Sequence, residues 1–144
     1  MQRVGVNIRG FSLIEIMVVV IIIGLMLGVA VPSLMDKMRD GEIARIKSDF
    51  SSIKIALQTY EMDNYSMPTT EQGLEALASK TDIDPLPRKW PKRGYLERLP
   101  KDPWERPYVY IYEDDDFDVY SLGRDGQLGG EGADKDYFYK QMFE

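Results

Sequence analysis

Two sets of carboxylates stand where they could do chemistry. The first is a single residue, Glu15, inside FSLIEIMVVVIIIGLMLGVAV, the run from Phe11 to Val31, whose other polar side chain is Ser12. The second is SLGRDGQLGGEGADKD, Ser121 to Asp136, where Asp125, Glu131, Asp134 and Asp136 lie among five glycines. Carboxylates and backbone carbonyls are the hard oxygen donors that calcium takes, about six to eight at once. Glycines let a chain fold tightly enough to aim several carbonyls at one point. The same stretch also reads as a merely solvated acidic loop. An EF-hand is excluded. Asp114, Asp116 and Asp118 fall at its positions 1, 3 and 5, but Val119 takes the glycine position and Asp125 the place of the closing glutamate.

The missing residue types narrow the chemistry further. The 144 residues contain no histidine and no cysteine. Ser-His-Asp and Cys-His pairs, the usual zinc and haem ligands, and disulfides are therefore ruled out. No P-loop and no other catalytic constellation is present, so the chain is not expected to be an enzyme. The absence of cysteine leaves the redox compartment open.

Glu15 has meaning only in its apolar run. A helix of 21 residues reaches about 31 Å, the hydrocarbon thickness of a bilayer. A domain of ordinary size for the remaining chain does not surround a helix that is apolar all round, so a membrane span is expected over Phe11–Val31. Arg3 and Arg9 precede it with no acid, which keeps the N-terminus cytoplasmic and sends the rest outward. A cleaved secretory signal would have a shorter apolar stretch and a better small-x-small site than Gly28-Val29-Ala30. A plain signal anchor leaves Glu15 unexplained. A carboxylate within a span costs about 2.5–3.5 kcal/mol and is by default a functional residue, although one this near the end could also snorkel to the interface.

Arg9-Gly10-Phe11-Ser12-Leu13-Ile14-Glu15, with the apolar run behind it, resembles the processing signal of type IV pilins and pseudopilins. The resemblance implies that a prepilin peptidase cuts between Gly10 and Phe11, removes residues 1–10 as a leader and methylates the new amine. It also implies that the span is retained. A positive amine on Phe11 and the carboxylate Glu15 of a neighbouring subunit would then neutralise each other in lipid, rewarding one axial register of assembly.

Beyond the span, Pro32 should kink or loosen the helix, and Gly41 weakens strict continuity. Ile43, Ile46, Phe50, Ile53, Leu57 and Tyr60 recur at steps of three and four, predicting an amphipathic helix over residues 32–65 with one stripe docked on a head. The head occupies residues 66–144. Thr69 and Gln72 offer a capping box that opens a short helix through EQGLEALASK. The segment TDIDPLPRKWPKRGYLERLP reads as irregular loop. Its cations near Trp90 and Tyr95 do not indicate nucleic acid, because the chain's net charge is -6. Residues 108–112 and 117–122 alternate as strands of an antiparallel hairpin about the acidic EDDD turn.

The head carries a finer resemblance. Thr70-Glu71-Gln72-Gly73-Leu74-Glu75-Ala76-Leu77, Gly94-Tyr95-Leu96, Leu99-Pro100, Asp102-Pro103-Trp104 with Pro107-Tyr108, and Tyr120 to Gly126 occur in this order. Together they are similar to the major pseudopilins of type II secretion. This implies an α+β, type IV pilin-like fold: a long N-terminal helix on a small head with an antiparallel sheet and a C-terminal calcium-binding loop. It implies an inner-membrane, single-pass protein with its head in the periplasm. Its expected partners are further copies in a helical filament, other pseudopilins, the prepilin peptidase and the inner-membrane secretion platform. An adhesion or motility pilin, or a membrane-anchored calcium-binding domain that never polymerises, are the alternatives. In the loop, the resemblance places Asp125 as a calcium ligand and Leu122 as a carbonyl ligand, with Gln127 a second carbonyl. Gly132 and Ala133 stand where an acid is common, so Asp134 or Asp136 must supply the remaining carboxylates.

The mean hydropathy of -0.33 is thus an average over unlike parts. Of 18 basic and 24 acidic side chains, residues 1–31 hold only Arg3, Arg9 and Glu15, leaving 16 and 23 for an acidic remainder.

Overall fold

The computed structural model describes the backbone of residues 10–143, and the side chains of all of these except 29, 30, 32, 33 and 133. Residues 1–9 of the expected leader lie outside the described residues. The chain divides into two compact units, Met1–Met38 and Arg39–Glu144.

One helix, α1, runs Leu13–Asn64, 52 residues. Pro32 and Gly41 do not end it. At its start the Ser12 carbonyl accepts from the Glu15 and Ile16 amides, and the Glu15 carboxylate reaches back to the Ser12 amide at 3.4 Å. Ser12 and Glu15 thereby stand in the spacing of a loose capping box. In the first unit the apolar side chains are exposed, Phe11 at 79% and Leu13 at 80%, and so on through Leu27. Among the described residues no helix is long and apolar enough to cross a membrane.

In the second unit α1 turns amphipathic as its spacing predicts. Ile46, Phe50, Ile53, Leu57 and Tyr60 are buried, and Ile43 packs on the same cluster. Their burial removes several large apolar side chains from water at about 1.5–3 kcal/mol each, which outweighs the modest propensities of this serine-bearing segment. Ser51, Ser52 and Thr59 return their hydroxyls to carbonyls one turn back. The helix ends at Asn64, and Tyr65 follows at φ +65, donating its amide to the Glu61 carbonyl at 2.7 Å. That left-handed closing residue is normally Gly or Asn.

The capping box at Thr69 is present in both directions. The Thr69 amide donates to Gln72 Oε1 at 3.0 Å and the Gln72 amide to Thr69 Oγ1 at 3.1 Å. The helix it should open is much shorter than residues 71–80: α2 is Glu75–Ala78. Gly73 adopts φ +64, and a left-handed residue cannot continue a right-handed helix. No helix or strand interrupts the segment between α2 and residue 109, the irregular loop that its prolines predict.

Strands β1 (Val109–Glu113) and β2 (Asp116–Ser121) pair antiparallel, with Tyr110 opposite Val119 and Glu113 opposite Asp116. The connection is two residues, Asp114 and Asp115, at φ 53 and 60, the signature of a type I′ turn. A third strand, β3 (Tyr137–Phe138), pairs with the end of β2 and leads directly into α3 (Tyr139–Phe143). Tyr108, Tyr110, Val119, Tyr137 and Tyr139 complete the core against α1. Phe50 meets Tyr108 edge-on at 5.3 Å and Tyr139 at 6.2 Å.

Candidate functional site

The C-terminal loop hangs between the end of β2 and the start of β3, so the sheet fixes both its ends. Ser121 and Tyr137 are register partners. Within it the Gly126 amide bonds the Leu122 carbonyl at 3.1 Å and the Gln127 amide bonds Asp125 Oδ1 at 3.1 Å. A short 3-10 turn, Gly132–Asp134, brings the chain back. Two glycines here are obligatory on steric grounds. A Cβ on Gly123 would lie 2.6 Å from the Lys135 carbonyl, and one on Gly130 would lie 2.5 Å from that of Asp134. Both have positive φ, so both outgoing and returning strands of the loop press backbone on backbone.

The five residues expected to hold calcium are placed as follows. Asp136 is buried; its Oδ2 accepts the Gly129 amide at 2.7 Å, while its Oδ1 is buried with no hydrogen-bond partner. A buried carboxylate oxygen without a donor or cation is costly. Asp134 is half-buried and its Oδ1 takes the Arg124 guanidinium at 2.9 Å. Asp125 and Gln127 are exposed. The Leu122 carbonyl keeps one lone pair beyond the Gly126 bond. Among the described residues no three acids come together closely enough to hold a metal ion. Among the described residues Asp136 Oδ1 is the one buried side-chain oxygen left without a partner, and it is the oxygen in this loop that a hard cation would suit. The Arg124–Asp134 pair stands in competition with any use of Asp134.

Sequence reasoning did not find the brace under this loop. Asp102 is fully buried. Its Oδ1 accepts the Trp104 and Arg106 amides at 3.0 and 2.8 Å, and its Oδ2 accepts the Ser121 hydroxyl at 2.7 Å. The Ser121 hydroxyl in turn accepts the Gly123 amide at 3.2 Å. Arg106, held by its own amide, donates its guanidinium to the Gly123 carbonyl at 2.6 Å and the Arg124 carbonyl at 2.7 Å. Asp-Pro is a turn-initiating dipeptide, and that was the available signal for Asp102. Arg106 had none.

The N-terminal candidates are less constrained. Gly10 and Phe11 are exposed, with the peptide between them ahead of α1. Glu15 is exposed in the first turn of α1 and satisfies its own chain's Ser12 amide.

Elsewhere in the head, polar side chains serve packing. Asn64 donates to the Tyr60 carbonyl and the Tyr95 hydroxyl, both at 3.0 Å, and accepts the Lys89 amide at 2.9 Å, tying the end of α1 to the basic loop. Tyr108 donates to Asp49 at 2.8 Å and Tyr110 to the Pro68 carbonyl at 2.9 Å. Burial raises both phenols well above their ordinary range, and for Tyr108 the Asp49 carboxylate adds to it. The hydrogen bond from Lys140 holds the Asp116 carboxyl below its usual range.

Matches to known families together span most of the chain. Residues 33–139 match the family described as Type II secretion system (T2SS), protein G, and residues 6–31 match the prokaryotic N-terminal methylation motif. The chain is 46% identical over 129 residues to type II secretion system core protein G of Pseudomonas aeruginosa, covering 88% of this chain and 91% of that protein. It is 43% identical to the protein of the same description from Vibrio cholerae, covering 88% of each. Its fold is similar to the crystal structure of the major pseudopilin from the type 2 secretion system of enterohaemorrhagic Escherichia coli. There the TM-score is 0.67 at 36% identity, over 76% of this chain and 96% of that one.

Proposed function

The chain belongs to the type II secretion system protein G family and is a pseudopilin, a structural subunit of the type II secretion pseudopilus; from that premise we propose how its residues serve assembly. A prepilin peptidase cuts between Gly10 and Phe11 and methylates the amine of Phe11. The run Phe11–Val31 then holds the subunit in the inner membrane with the acidic head in the periplasm. From there subunits enter a helical filament of further copies and other pseudopilins at the inner-membrane secretion platform. The observation that carries this reading is the contrast along α1. Its large apolar side chains are exposed from Leu13 through Leu27, as is Phe11 just before it, whereas those of the stripe Ile46, Phe50, Ile53, Leu57 and Tyr60 are buried. An exposed apolar run of this size needs lipid or other subunits to cover it. Glu15 exchanges its Ser12 amide for the charged amine of a neighbouring Phe11.

Mass spectrometry of the mature N-terminus tests the processing: a chain starting at methylated Phe11 is expected, and an intact Met1 would overturn it. Glu15→Ala should leave cleavage intact and abolish filaments seen by electron microscopy. Normal filaments from that variant would remove the role of Glu15.

We also propose that the C-terminal loop binds calcium. Asp125, Asp134 and Asp136 would supply carboxylates, and Leu122 and Gln127 carbonyls. The ion would supply the positive charge that the buried, unpartnered Oδ1 of Asp136 lacks. Its binding would order a loop that has few apolar side chains of its own after Leu128.

A further inference from the structure

A groove of about 690 Å³ lies between the second-unit part of α1, at Arg45 and Asp49, and the segment bearing Arg98, Lys101 and Glu105. Arg45 is committed within it. Its guanidinium donates to the Lys101 carbonyl at 3.1 Å and lies 3.7 Å from Glu105 and 4.0 Å from Asp49. Arg98 and Lys101 are exposed, and among the described residues neither side chain enters an ion pair. The rim therefore offers two cations with no acid of their own.

The opposite charge is gathered at the other end of the same head. The hairpin tip carries Glu113, Asp114 and Asp115, all exposed. Among the described residues none of the three is ion-paired, and Asp115 takes only the Tyr112 hydroxyl, at 3.1 Å. Strand β1 runs from one level to the other. Tyr108, just before it, reaches Asp49 beside the groove. Tyr112, next to the tip, exchanges hydrogen bonds with Thr70 beyond the end of α1. From Asp49 to Asn64 the helix rises about 22 Å, so groove and tip are separated along its axis.

A helical fibre is built by heterologous contacts, in which one patch of each subunit meets a different patch of the next. Two patches of opposite charge, displaced along one axis, meet that requirement. We propose that the acidic tip Glu113–Asp115 of one copy docks into the groove at Arg98 and Lys101 of the next copy along the fibre. The proposal rests on the filament reading above and adds the register between heads. Charge complementarity of this kind selects and aligns partners more than it adds affinity, and it weakens as salt screens it.

The test uses the full chain in cells that carry the secretion machinery. Arg98→Glu with Lys101→Glu, or Asp114→Lys with Asp115→Lys, should each lower filament yield roughly tenfold or more by placing like charges together. Both pairs combined in one chain should restore it. Wild-type yield from either reversed pair overturns the docking. Because the chain has no cysteine, a second measurement is independent of stability. Copies with Lys101→Cys mixed with copies with Asp114→Cys should give disulfide-linked dimers on oxidation, and neither variant alone should. Wild-type-like filaments from that mixture without the dimer overturn the docking and leave the filament reading standing. If the unaltered chain forms no filaments at all, both fall.

Discussion

The hydroxyl of Ser121 donates to Oδ2 of Asp102 at 2.7 Å, and neither residue exposes any surface. This contact fastens the last residue of β2 to the turn that begins at Asp102, which Lys101 and Pro107 close as a bridge. Through Ser121 the same carboxylate sets the Gly123 amide, so the root of the C-terminal loop is placed by a residue outside it.

Ser121→Ala removes the third donor of a buried carboxylate and should destabilise the head by about 1–3 kcal/mol. Denaturant unfolding checks this. The loss should appear in chelator as well as in calcium, because the contact itself holds no ion.

Calcium should raise the melting midpoint of the full chain in detergent. At a concentration about a hundredfold above Kd the linkage is about 2.7 kcal/mol, or roughly ten degrees for a head of this size. Asp125→Ala and Asp136→Asn should each diminish the shift. An equal midpoint in calcium and chelator for the unaltered chain would count against the site.

High pH should unfold the head. Tyr108 and Tyr110 have phenol pKa values raised above the ordinary value of 10.0, chiefly by burial. Each therefore holds its proton in the folded state where the unfolded chain has lost it. Their contribution is present in full below pH about 10 and falls above it by roughly 1.4 kcal/mol per pH unit per group. Tyr110→Phe should flatten this alkaline slope, measured by denaturant melts across the pH series.

Gln72→Leu should cost about 2 kcal/mol or more. The amide is buried and gives its two hydrogens to the Ile83 and Pro85 carbonyls at 2.7 and 2.8 Å, while Oε1 accepts the Thr69 amide. Leucine fills the space and leaves those backbone groups unpaired. Thr69→Ala removes one cap bond and should cost only about 1 kcal/mol, so the two variants order the contributions.

How much the sequence disclosed depended on the length of each signal. The stripe from Ile43 to Tyr60 repeats over five helical steps, and all of it packs as expected. Strands β1 and β2 showed their alternation, but their turn is tighter than EDDD suggested. Asp114 and Asp115 hold left-handed conformations that Asn-Gly usually supplies. Strand β3 is two residues long and has no period to detect. The predicted helix after Thr69 lost most of its length to the backbone of Gly73, which its identity alone did not reveal. In the loop, composition identified the acids but not the Arg124–Asp134 pair or the Arg106 brace, because contacts across 10 and 17 positions leave no local pattern.

The core has one further consequence, for the order in which the head folds. Tyr139 lies against Phe50 and Tyr137 closes the edge of the sheet, so the contacts that seal the buried stripe of α1 span nearly the whole length of the head. Such non-local closure is intrinsically late. The stripe is therefore covered last, after the helical turns of α1 and the tight hairpin of β1 and β2 have formed.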